Sequence, residues 1–162
     1  MKTQENLMSA FAGESQANRK YTAFADVAEQ AGHKDVARLF RCAADAENIH
    51  ALAELKQAGK LNDTTENLKA AIAGETYEFD TMYPEFEGVA LEEGQKQAAH
   101  IFHLAKEAER CHATLYQEAL DNLGKETGVA YFLCPVCGYI EKHQAPDACP
   151  ICKAKGSVFK KY

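Results

Sequence analysis

The sequence has no apolar run that approaches the roughly 20 residues needed to cross a bilayer, which excludes a membrane-spanning protein. Its first residues, MKTQENLMSAF, lack the apolar core and the small-residue cleavage site of a signal peptide, so we expect a cytoplasmic protein. Basic residues are outnumbered, with 18 Lys and Arg against 24 Asp and Glu, and they are scattered along the chain. A net charge of -6 without a basic patch argues against a nucleic-acid partner.

Proline is nearly absent from the first three quarters of the chain, where Pro84 is the single example before Asn122. This region is rich in Ala, Glu, Lys, Gln and Leu, and its apolar residues recur at intervals of three and four. Both features are typical of α-helices, because proline removes a helical hydrogen bond and this spacing lines one helix face. We expect Pro84 to kink its helix or to bound a turn within it.

Four glycines divide this helical region, and each stands where a helix could end in a left-handed cap. They lie 27, 35 and 30 residues apart, at Gly32, Gly59, Gly94 and Gly124. These intervals predict four helices of roughly 25 to 30 residues. Asp63, with Glu66 three residues later, resembles a capping box and marks the start of the third helix.

The composition changes after Gly124, where the remaining three prolines and four of the six cysteines occur. Short pieces at Ala130–Leu133 and Ser157–Phe159 predict strands. We therefore expect two domains: a four-helix bundle over residues 1–125 and a small cysteine domain over residues 128–162. About 35 residues cannot build a sufficient hydrophobic core, so a bound metal should stabilise the cysteine domain.

The helical region contains an internal repeat. The tetrapeptide AGES, which contains Glu14, recurs as AGET, which contains Glu75, and a Glu-x-x-His pattern at residues 47–50 recurs at residues 109–112. The two offsets are 61 and 62 residues. Two helical hairpins are therefore expected to be copies of one another, with matching residues facing a shared centre.

The repeated carboxylates and histidines should also lie level with one another. Counted from the glycine at each hairpin turn, Glu14 and His50 are both 18 residues away, whereas Glu75 and His112 are 19 and 18 residues away. Helices rise about 1.5 Å per residue, so in each antiparallel hairpin the Glu and the His should lie at the same distance from the turn. Glu and His three residues apart project from one helix face, and each such pair can bind one metal ion.

One Glu from each of two helices and a Glu-x-x-His from each of the other two form the ligand set of a ferritin-like di-iron or di-manganese bundle. Carboxylate with imidazole suits iron, whereas calcium prefers oxygen alone. Glutamates that only solvate a helix would have no reason to repeat in register with histidines. The repeat breaks once, because Ala17 follows Glu14 by three residues while Glu78 follows Glu75. The expected ligands are Glu14, Glu47, His50, Glu75, Glu78, Glu109 and His112.

Four cysteines form two Cys-x-x-Cys knuckles separated by eleven residues, at Cys134, Cys137, Cys149 and Cys152. This spacing suits a tetrahedral thiolate site, and zinc ribbons share it with rubredoxin-type iron sites. The surrounding letters, Cys-Pro-x-Cys-Gly-Tyr followed by Cys-Pro-x-Cys, look like rubredoxin knuckles with a shortened loop. We expect one iron ion here because of the neighbouring di-iron site, and zinc is the alternative.

Together, the seven bundle ligands and the cysteine knuckles resemble the rubrerythrin family over essentially the whole chain. The resemblance implies an all-α ferritin-like four-helix bundle that holds two iron ions, joined to a small rubredoxin-like β domain. It also implies that Glu78 and His50 compete for one iron, which moves between them as its oxidation state changes. Tyr21 and Tyr83 occupy corresponding places about two turns after Glu14 and Glu75. By the same analogy they donate to ligating carboxylates, and core packing is their alternative role.

The resemblance implies a peroxidase that reduces hydrogen peroxide to water, with electrons passed through its own four-cysteine iron. A reductase or a rubredoxin would load these electrons. Two alternatives stay open. A ferroxidase or iron-sequestering relative of ferritin would need no attached electron donor. A helical scaffold with a zinc ribbon for protein contacts would have no redox chemistry.

The expected separation of the two metal sites indicates a dimer. From Glu109 to Asn122 the last helix runs about 20 Å away from the bundle irons before the cysteine domain begins. A head-to-tail homodimer, with the cysteine domain of one subunit over the bundle of the other, would shorten the electron path. Members of the family commonly form such dimers, and some exchange helices between subunits, a choice that the sequence leaves open.

Overall fold

The computed structural model describes residues 1–162 and is mostly helical. Its elements in chain order are α1 (Lys2–Gln30), α2 (Lys34–Gln57), α3 (Thr64–Tyr77), a π-helical segment (Glu78–Met82), α4 (Tyr83–Glu92), α5 (Lys96–Asp121), β1 (Tyr131–Leu133), β2 (Ile140–Lys142), a 3-10 turn (Gly156–Val158) and β3 (Lys160–Lys161). None of the helices combines the length and the apolar character that crossing a membrane requires.

The chain separates into two compact units, Met1–Asn62 and Asp63–Tyr162. The first unit is the hairpin of α1 and α2, and the second contains the hairpin of α3, α4 and α5 together with the cysteine domain. Gly32 and Gly94 turn the two hairpins with φ angles of +83° and +73°, a region that favours glycine because it has no Cβ. Gly59 and Gly124 also have positive φ angles, as the predicted helix ends require. The predicted domain boundary near residue 125 stays a prediction.

The third predicted helix is interrupted. Its α-helical hydrogen bonding gives way to the π-helical segment at Glu78 and resumes in α4, with Pro84 in the first turn. Proline has no N–H, so the carbonyl four residues before it loses its normal helical hydrogen bond. For Pro84 that carbonyl belongs to Asp80, which lies inside the π-helical segment. The irregularity therefore begins several residues earlier than Pro84 itself.

The predicted cap at the start of α3 is half formed. The backbone N–H of Glu66 donates to Oδ1 of Asp63 at 2.9 Å, which satisfies one free donor of the first turn. The side chain of Glu66 does not return to Asp63 and instead accepts from Lys69 at 2.7 Å. Only the Asp63 part of the capping box therefore stabilises this helix.

The cysteine domain holds a three-stranded antiparallel sheet in the order β2-β1-β3. The strand predicted over Ser157–Phe159 is wrong, because these residues lie in or just after the 3-10 turn and β3 begins at Lys160. Gly156 anchors that turn through its N–H, which donates to the carbonyl of Asp147 at 2.8 Å. A Cβ at Gly156 would lie 1.8 Å from the carbonyl oxygen of Pro146, so no larger residue fits.

The predicted fold class is confirmed in its two parts, ferritin-like helices followed by a small strand domain that carries four cysteines. Every buried apolar residue of the helices is alanine, and the larger apolar side chains lie at least partly exposed. The fully buried side chains larger than alanine are Cys134 and Cys149 in the cysteine domain.

Candidate metal centres

The α1–α2 hairpin brings Glu14, Glu47 and His50 together, and we call these residues the first triad. Their ligand atoms all lie within 4.8 Å of one another. His50 Nδ1 is 3.1 Å from Glu47 Oε2 and 4.0 Å from Glu14 Oε1. The hydrogen bond with Glu47 raises the pKa of Glu14. The negative charge of Glu47 raises it further, since two neighbouring carboxylates repel each other when both are charged.

The hairpin of α3, α4 and α5 repeats this arrangement with Glu75, Glu109 and His112, the second triad. His112 Nδ1 lies 2.6 Å from Glu109 Oε2 and 3.9 Å from Glu75 Oε2, close to the distances in the first triad. The second triad is better covered, because the His112 side chain is 17% exposed and the His50 side chain 57%. Each triad offers three converging O and N donors, the ligand types of a carboxylate and imidazole metal site.

Burial and crowding shift the protonation of the second triad. Burial raises the pKa of Glu75 to about 7, together with the hydrogen bond that its protonated carboxyl group donates to Glu109. The hydrogen bond to Glu109 raises the pKa of His112, and the same bond lowers the pKa of Glu109. Without a metal, Glu75 therefore retains a proton near neutral pH, which a bound cation would displace.

Glu78 is outside both triads but close to the second. It is the first residue of the π-helical segment, one turn after Glu75. Burial raises the pKa of Glu78, the charge of Glu109 raises it further, and His112 lowers it. The carboxyl group of Glu78 therefore lies near those two ligands. The structure thus brings six predicted ligands into two triads and places the seventh, the one without a counterpart in the repeat, beside the second triad.

Tyr21 and Tyr83 lie in equivalent aromatic clusters. Tyr21 contacts Phe24 and Phe40 with ring centroids 6.2 and 6.1 Å apart, and Tyr83 contacts Phe86 and Phe102 at 6.4 and 6.2 Å. Burial raises the pKa of Tyr83, and Glu78, Glu109 and Glu75 raise it further. Tyr83 is therefore near the second triad, while a hydrogen bond from either tyrosine to a ligand stays a prediction.

Two neighbours of the triads were missed by the sequence reasoning. Glu54 follows His50 by four residues, and its Oε2 atom is buried without a hydrogen-bond partner while its charge raises the pKa of Glu14. Tyr116 follows His112 by four residues. Burial raises the pKa of Tyr116, and the charges of Glu75 and Glu109 raise it further. Spacing by four residues on the ligand face was the available signal. The repeat therefore breaks a second time, with a carboxylate at one position and a phenol at its counterpart.

The four cysteines of the second domain converge on one point. Cys134 Sγ lies 3.6 Å from Cys152 Sγ, and Cys137 Sγ lies 3.5 Å from Cys149 Sγ. All four sulfur atoms are within 4.8 Å of one another, and Cys134 and Cys149 are buried. Four converging thiol groups without disulfides could hold one metal ion in a closed tetrahedral site.

Backbone N–H groups point at these sulfur atoms. Burial alone would raise the pKa of Cys134, but the N–H groups of Val136 and Cys137 donate to its sulfur and bring the pKa below its usual range. Burial raises the pKa of Cys137 despite a hydrogen bond from the N–H of Tyr139. A bound cation would favour all four thiolates, so the knuckles fit a metal better than they fit free thiols.

One hydrogen bond joins the cysteine site to the second triad. His112 Nε2 is 2.8 Å from the carbonyl oxygen of Gly138, which directly follows Cys137. A carbonyl can only accept, so Nε2 carries the hydrogen and neutral His112 keeps the Nδ1 lone pair for a metal. Beside it, Cys111 Sγ donates to the carbonyl of Ile140 at 3.2 Å. The cysteine domain thus contacts α5 of its own chain.

This contact corrects the expected electron path. The prediction assumed that the cysteine domain lies far from the ligands of its own chain because α5 runs away from them. The loop after α5 instead leads back, and the knuckle with Cys137 is one residue and one hydrogen bond from His112. The separation within one chain therefore gives no support for a head-to-tail dimer, and that dimer stays a prediction.

Comparisons with known proteins agree with this geometry. Residues 5–120 match the family model described as Rubrerythrin, and residues 132–160 match the model described as Rubrerythrin, rubredoxin-like domain. Nigerythrin of Nitratidesulfovibrio vulgaris is 38% identical, with 99% of this chain and 86% of the relative covered. Rubrerythrin-2 of Clostridium acetobutylicum is 34% identical, with coverages of 99% and 96%.

Solved structures of nigerythrin give the same result. One described as a mixed-valence state matches with a TM-score of 0.62 and 38% identity, covering 99% of this chain and 86% of nigerythrin. Another, described as fully reduced and all ferrous, matches equally well. The family model covers more than half of the chain, and the relatives align along nearly all of it. This chain belongs to the rubrerythrin family.

Proposed function

We propose that this chain is a non-haem di-iron peroxidase that reduces hydrogen peroxide to water. Each peroxide takes up two electrons and two protons, its O–O bond breaks, and two water molecules leave. The electrons come one at a time through the chain's own four-cysteine iron, which a separate reductase or rubredoxin reloads. We place the reaction in the cytoplasm, where thiol ligands stay reduced.

The donor sets support iron at both sites. The two triads offer only carboxylate and imidazole groups, and four sulfur atoms converge in the cysteine domain. The relative nigerythrin has a solved structure described as all ferrous, which supports iron in this chain as well. When bound, the bundle irons would supply Lewis acidity and electrons for the cleavage of the O–O bond.

The side chains around the second triad suit proton delivery. Burial raises the pKa of Glu78, so its carboxyl group holds a proton more readily than an exposed glutamate does. Tyr83 lies close enough for the charge of Glu78 to raise its own pKa. Glu78 is therefore the proposed proton donor to the departing oxygen, and Tyr83 is its neighbour. His50 of the first triad is the proposed ligand that competes with Glu78 for one iron.

The observation that carries the proposal is the hydrogen bond from His112 to Gly138. This bond links His112 of the second triad to Gly138, the residue next to Cys137 of the thiolate site. A ferroxidase or iron store needs no attached electron donor, and it gives this contact no role. In an electron-transfer enzyme the same contact would give the electron a short path between the two centres.

A peroxidase assay with reduced protein under anaerobic conditions tests the proposal. Glu78→Ala should lower turnover about 100-fold, because general acid catalysis contributes at least that much. Cys149→Ser should abolish sustained turnover, while protein whose bundle is reduced chemically should still consume one equivalent of peroxide per site. This single turnover shows that the bundle of the cysteine variant has folded.

Two matched controls accompany these variants. Glu85→Ala removes an exposed glutamate of α4, and Cys42→Ser removes an exposed thiol of α2. Both should leave turnover unchanged. Unchanged turnover in both Glu78→Ala and Cys149→Ser would reject the proposed mechanism. Rapid oxidation of added ferrous ions without peroxide turnover would favour the ferroxidase instead.

A further inference from the structure

We infer that Arg110 of α5 is a positioning residue for Glu78, because its guanidinium group holds the ring of Phe79 and so fixes the π-helical segment that begins at Glu78. Arg110 and Phe79 lie outside the predicted ligand set and act on it through the backbone of the segment. This role rests on the metal centre that we propose for the bundle, and it holds whether or not that centre reduces peroxide.

One cation–π contact joins α5 to the π-helical segment, and we call it the clamp. The Cζ atom of Arg110 lies 4.7 Å from the centroid of the Phe79 ring, close enough for attraction between a guanidinium group and an aromatic face. Nε of Arg110 also lies 3.7 Å from Oε2 of Glu107, one turn earlier on α5. Arg110 directly follows Glu109, and Phe79 directly follows Glu78. The clamp therefore connects the chain neighbours of two predicted ligands.

The segment that the clamp holds is wider than a regular helical turn. Tyr83 follows Glu75 by eight residues, whereas Tyr21 follows Glu14 by seven at the corresponding places of the repeat. The N–H of Tyr83 donates to the carbonyl of Glu78, five residues earlier, so this bond encloses one residue more than an α-helical bond does. The regular ladder of hydrogen bonds is thus interrupted at the predicted ligand that has no counterpart in the repeat.

The first hairpin is held at the same level in another way. Asn18 is buried, and its side-chain N–H donates to the carbonyl of Ala44 on α2 at 2.7 Å. Phe79 takes the place of Asn18 in the repeat and cannot donate such a bond. Arg110 takes the place of Asn48, whose neutral side chain makes no cation–π contact. The clamp therefore replaces the hydrogen bond in the hairpin that has the π-helical segment.

The carboxyl group of Glu78 depends on its backbone for its position. Burial and the charges of Glu109 and His112 shift its pKa, and no hydrogen bond contributes to that shift. Losing the clamp would lower the population in which Glu78 faces the second triad. The side chain of Arg110 is 55% exposed, so we expect a factor of about two to five, the usual strength of an exposed cation–π contact.

Hydrogen exchange of the iron-loaded full chain tests the clamp directly. Phe79→Leu keeps the apolar bulk and removes the ring, whereas Arg110→Met keeps the stem and removes the charge. Each should speed exchange of the Tyr83 amide about two- to fivefold. The double variant should exchange no faster than either single variant, because both remove one contact. Phe79→Tyr keeps the ring and should match the wild type. Tyr77→Leu is the control, since Tyr77 precedes Glu78 and is 58% exposed.

The reduction potential of the bundle iron tests whether the clamp acts through Glu78. A carboxylate stabilises ferric iron more than ferrous iron, because the attraction grows with the charge of the ion. Phe79→Leu changes no charge, so it should raise the midpoint potential by about 20 to 40 mV, a two- to fivefold effect at 59 mV per tenfold. In a Glu78→Ala background the same substitution should leave the potential unchanged.

Three results would overturn the positioning role. The first is exchange of the Tyr83 amide that is equal in Phe79→Leu and Tyr77→Leu. The second is an additive effect of Phe79→Leu and Arg110→Met. The third is a shift of potential that persists in the Glu78→Ala background, since the substitution would then disturb the site without Glu78. None of these measurements involves peroxide, so failure of the clamp is distinguishable from failure of the proposed peroxidase.

Discussion

His112 Nε2 lies 2.8 Å from the carbonyl oxygen of Gly138, so a histidine of the bundle and the residue after a cysteine ligand share one hydrogen bond. The geometry depends on the backbone of Gly138, whose φ angle is +84°. A side chain at this angle is strained by about 1–2 kcal/mol. The contact therefore rests on a position where glycine is strongly preferred.

Gly138→Ala should slow electron transfer from the thiolate iron to the bundle, because the strained knuckle moves its carbonyl away from His112. Stopped-flow absorbance of the thiolate iron during peroxide addition measures this rate. Gly128→Ala is the matched control, since Gly128 also has a positive φ angle, of +60°, and open space around it. Equal rates in both variants would show that the contact with His112 does not carry the electron.

The metal-free protein should lose stability as pH rises from about 5 to 8. The raised pKa of Glu75, about 7, and the raised pKa of His112 both mean that the folded state binds protons more tightly than the unfolded state. Their stabilisation is present at low pH and is lost as pH rises through the folded pKa values. The lowered pKa of Glu109 acts in the opposite direction, but below this window.

Thermal unfolding of the metal-free protein at several pH values measures this effect. Glu75→Gln, which cannot ionise, should flatten the profile and unfold at a higher temperature than the wild type at pH 8. Glu85→Gln on the exposed face of α4 should leave the profile unchanged. A wild-type midpoint that rises between pH 5 and pH 8 would contradict the assignment.

Glu54→Gln should weaken metal binding in the bundle by about 10- to 100-fold, the usual effect of losing a group that supports the ligands. Its buried Oε2 has no hydrogen-bond partner, so the same change should stabilise the metal-free protein. Tyr116→Phe, at the equivalent position of the repeat, keeps the ring and serves as the comparison. Anaerobic ferrous titration with a melting curve measures both effects, and unaltered iron affinity would contradict this role.

Asp63→Ala should destabilise the second unit by about 1 kcal/mol, since it removes the oxygen that accepts from the N–H of Glu66. Chemical unfolding measures the loss. Asp35→Ala is the control, because Asp35 pairs with Arg38 on an exposed helix face and makes only a surface ion pair. Equal effects of the two substitutions would show that the cap does not determine the stability of α3.

Local patterns were readable from the sequence. The capping aspartate and the glycine turns depend on neighbouring residues, so their chemistry shows in the letters. The spacing of Glu47 and His50 by three residues follows from helical periodicity and needs no knowledge of the partner helix. The cysteine knuckles are equally local, and the convergence of their sulfur atoms follows from two short loops.

Other features required the tertiary structure. The π-helical segment that carries Glu78 arises from a conflict between Pro84 and the helix before it, and its starting point depends on packing. The 3-10 turn at Gly156 replaced a predicted strand because its N–H meets the carbonyl of Asp147, nine residues away in sequence. Competing backbone partners at such distances cannot be ranked from propensity alone.

The sequence by itself determined which residues can bind metal, since duplicated helical spacing and paired cysteines specify donors and their local geometry. Only the tertiary structure decided that the cysteine domain returns to His112 and that Glu54 has a buried oxygen without a partner. The physical reason is the range of the interactions. Periodicity and caps act within a few residues, whereas the bond from His112 to Gly138 joins residues 26 positions apart, and only folding brings them together.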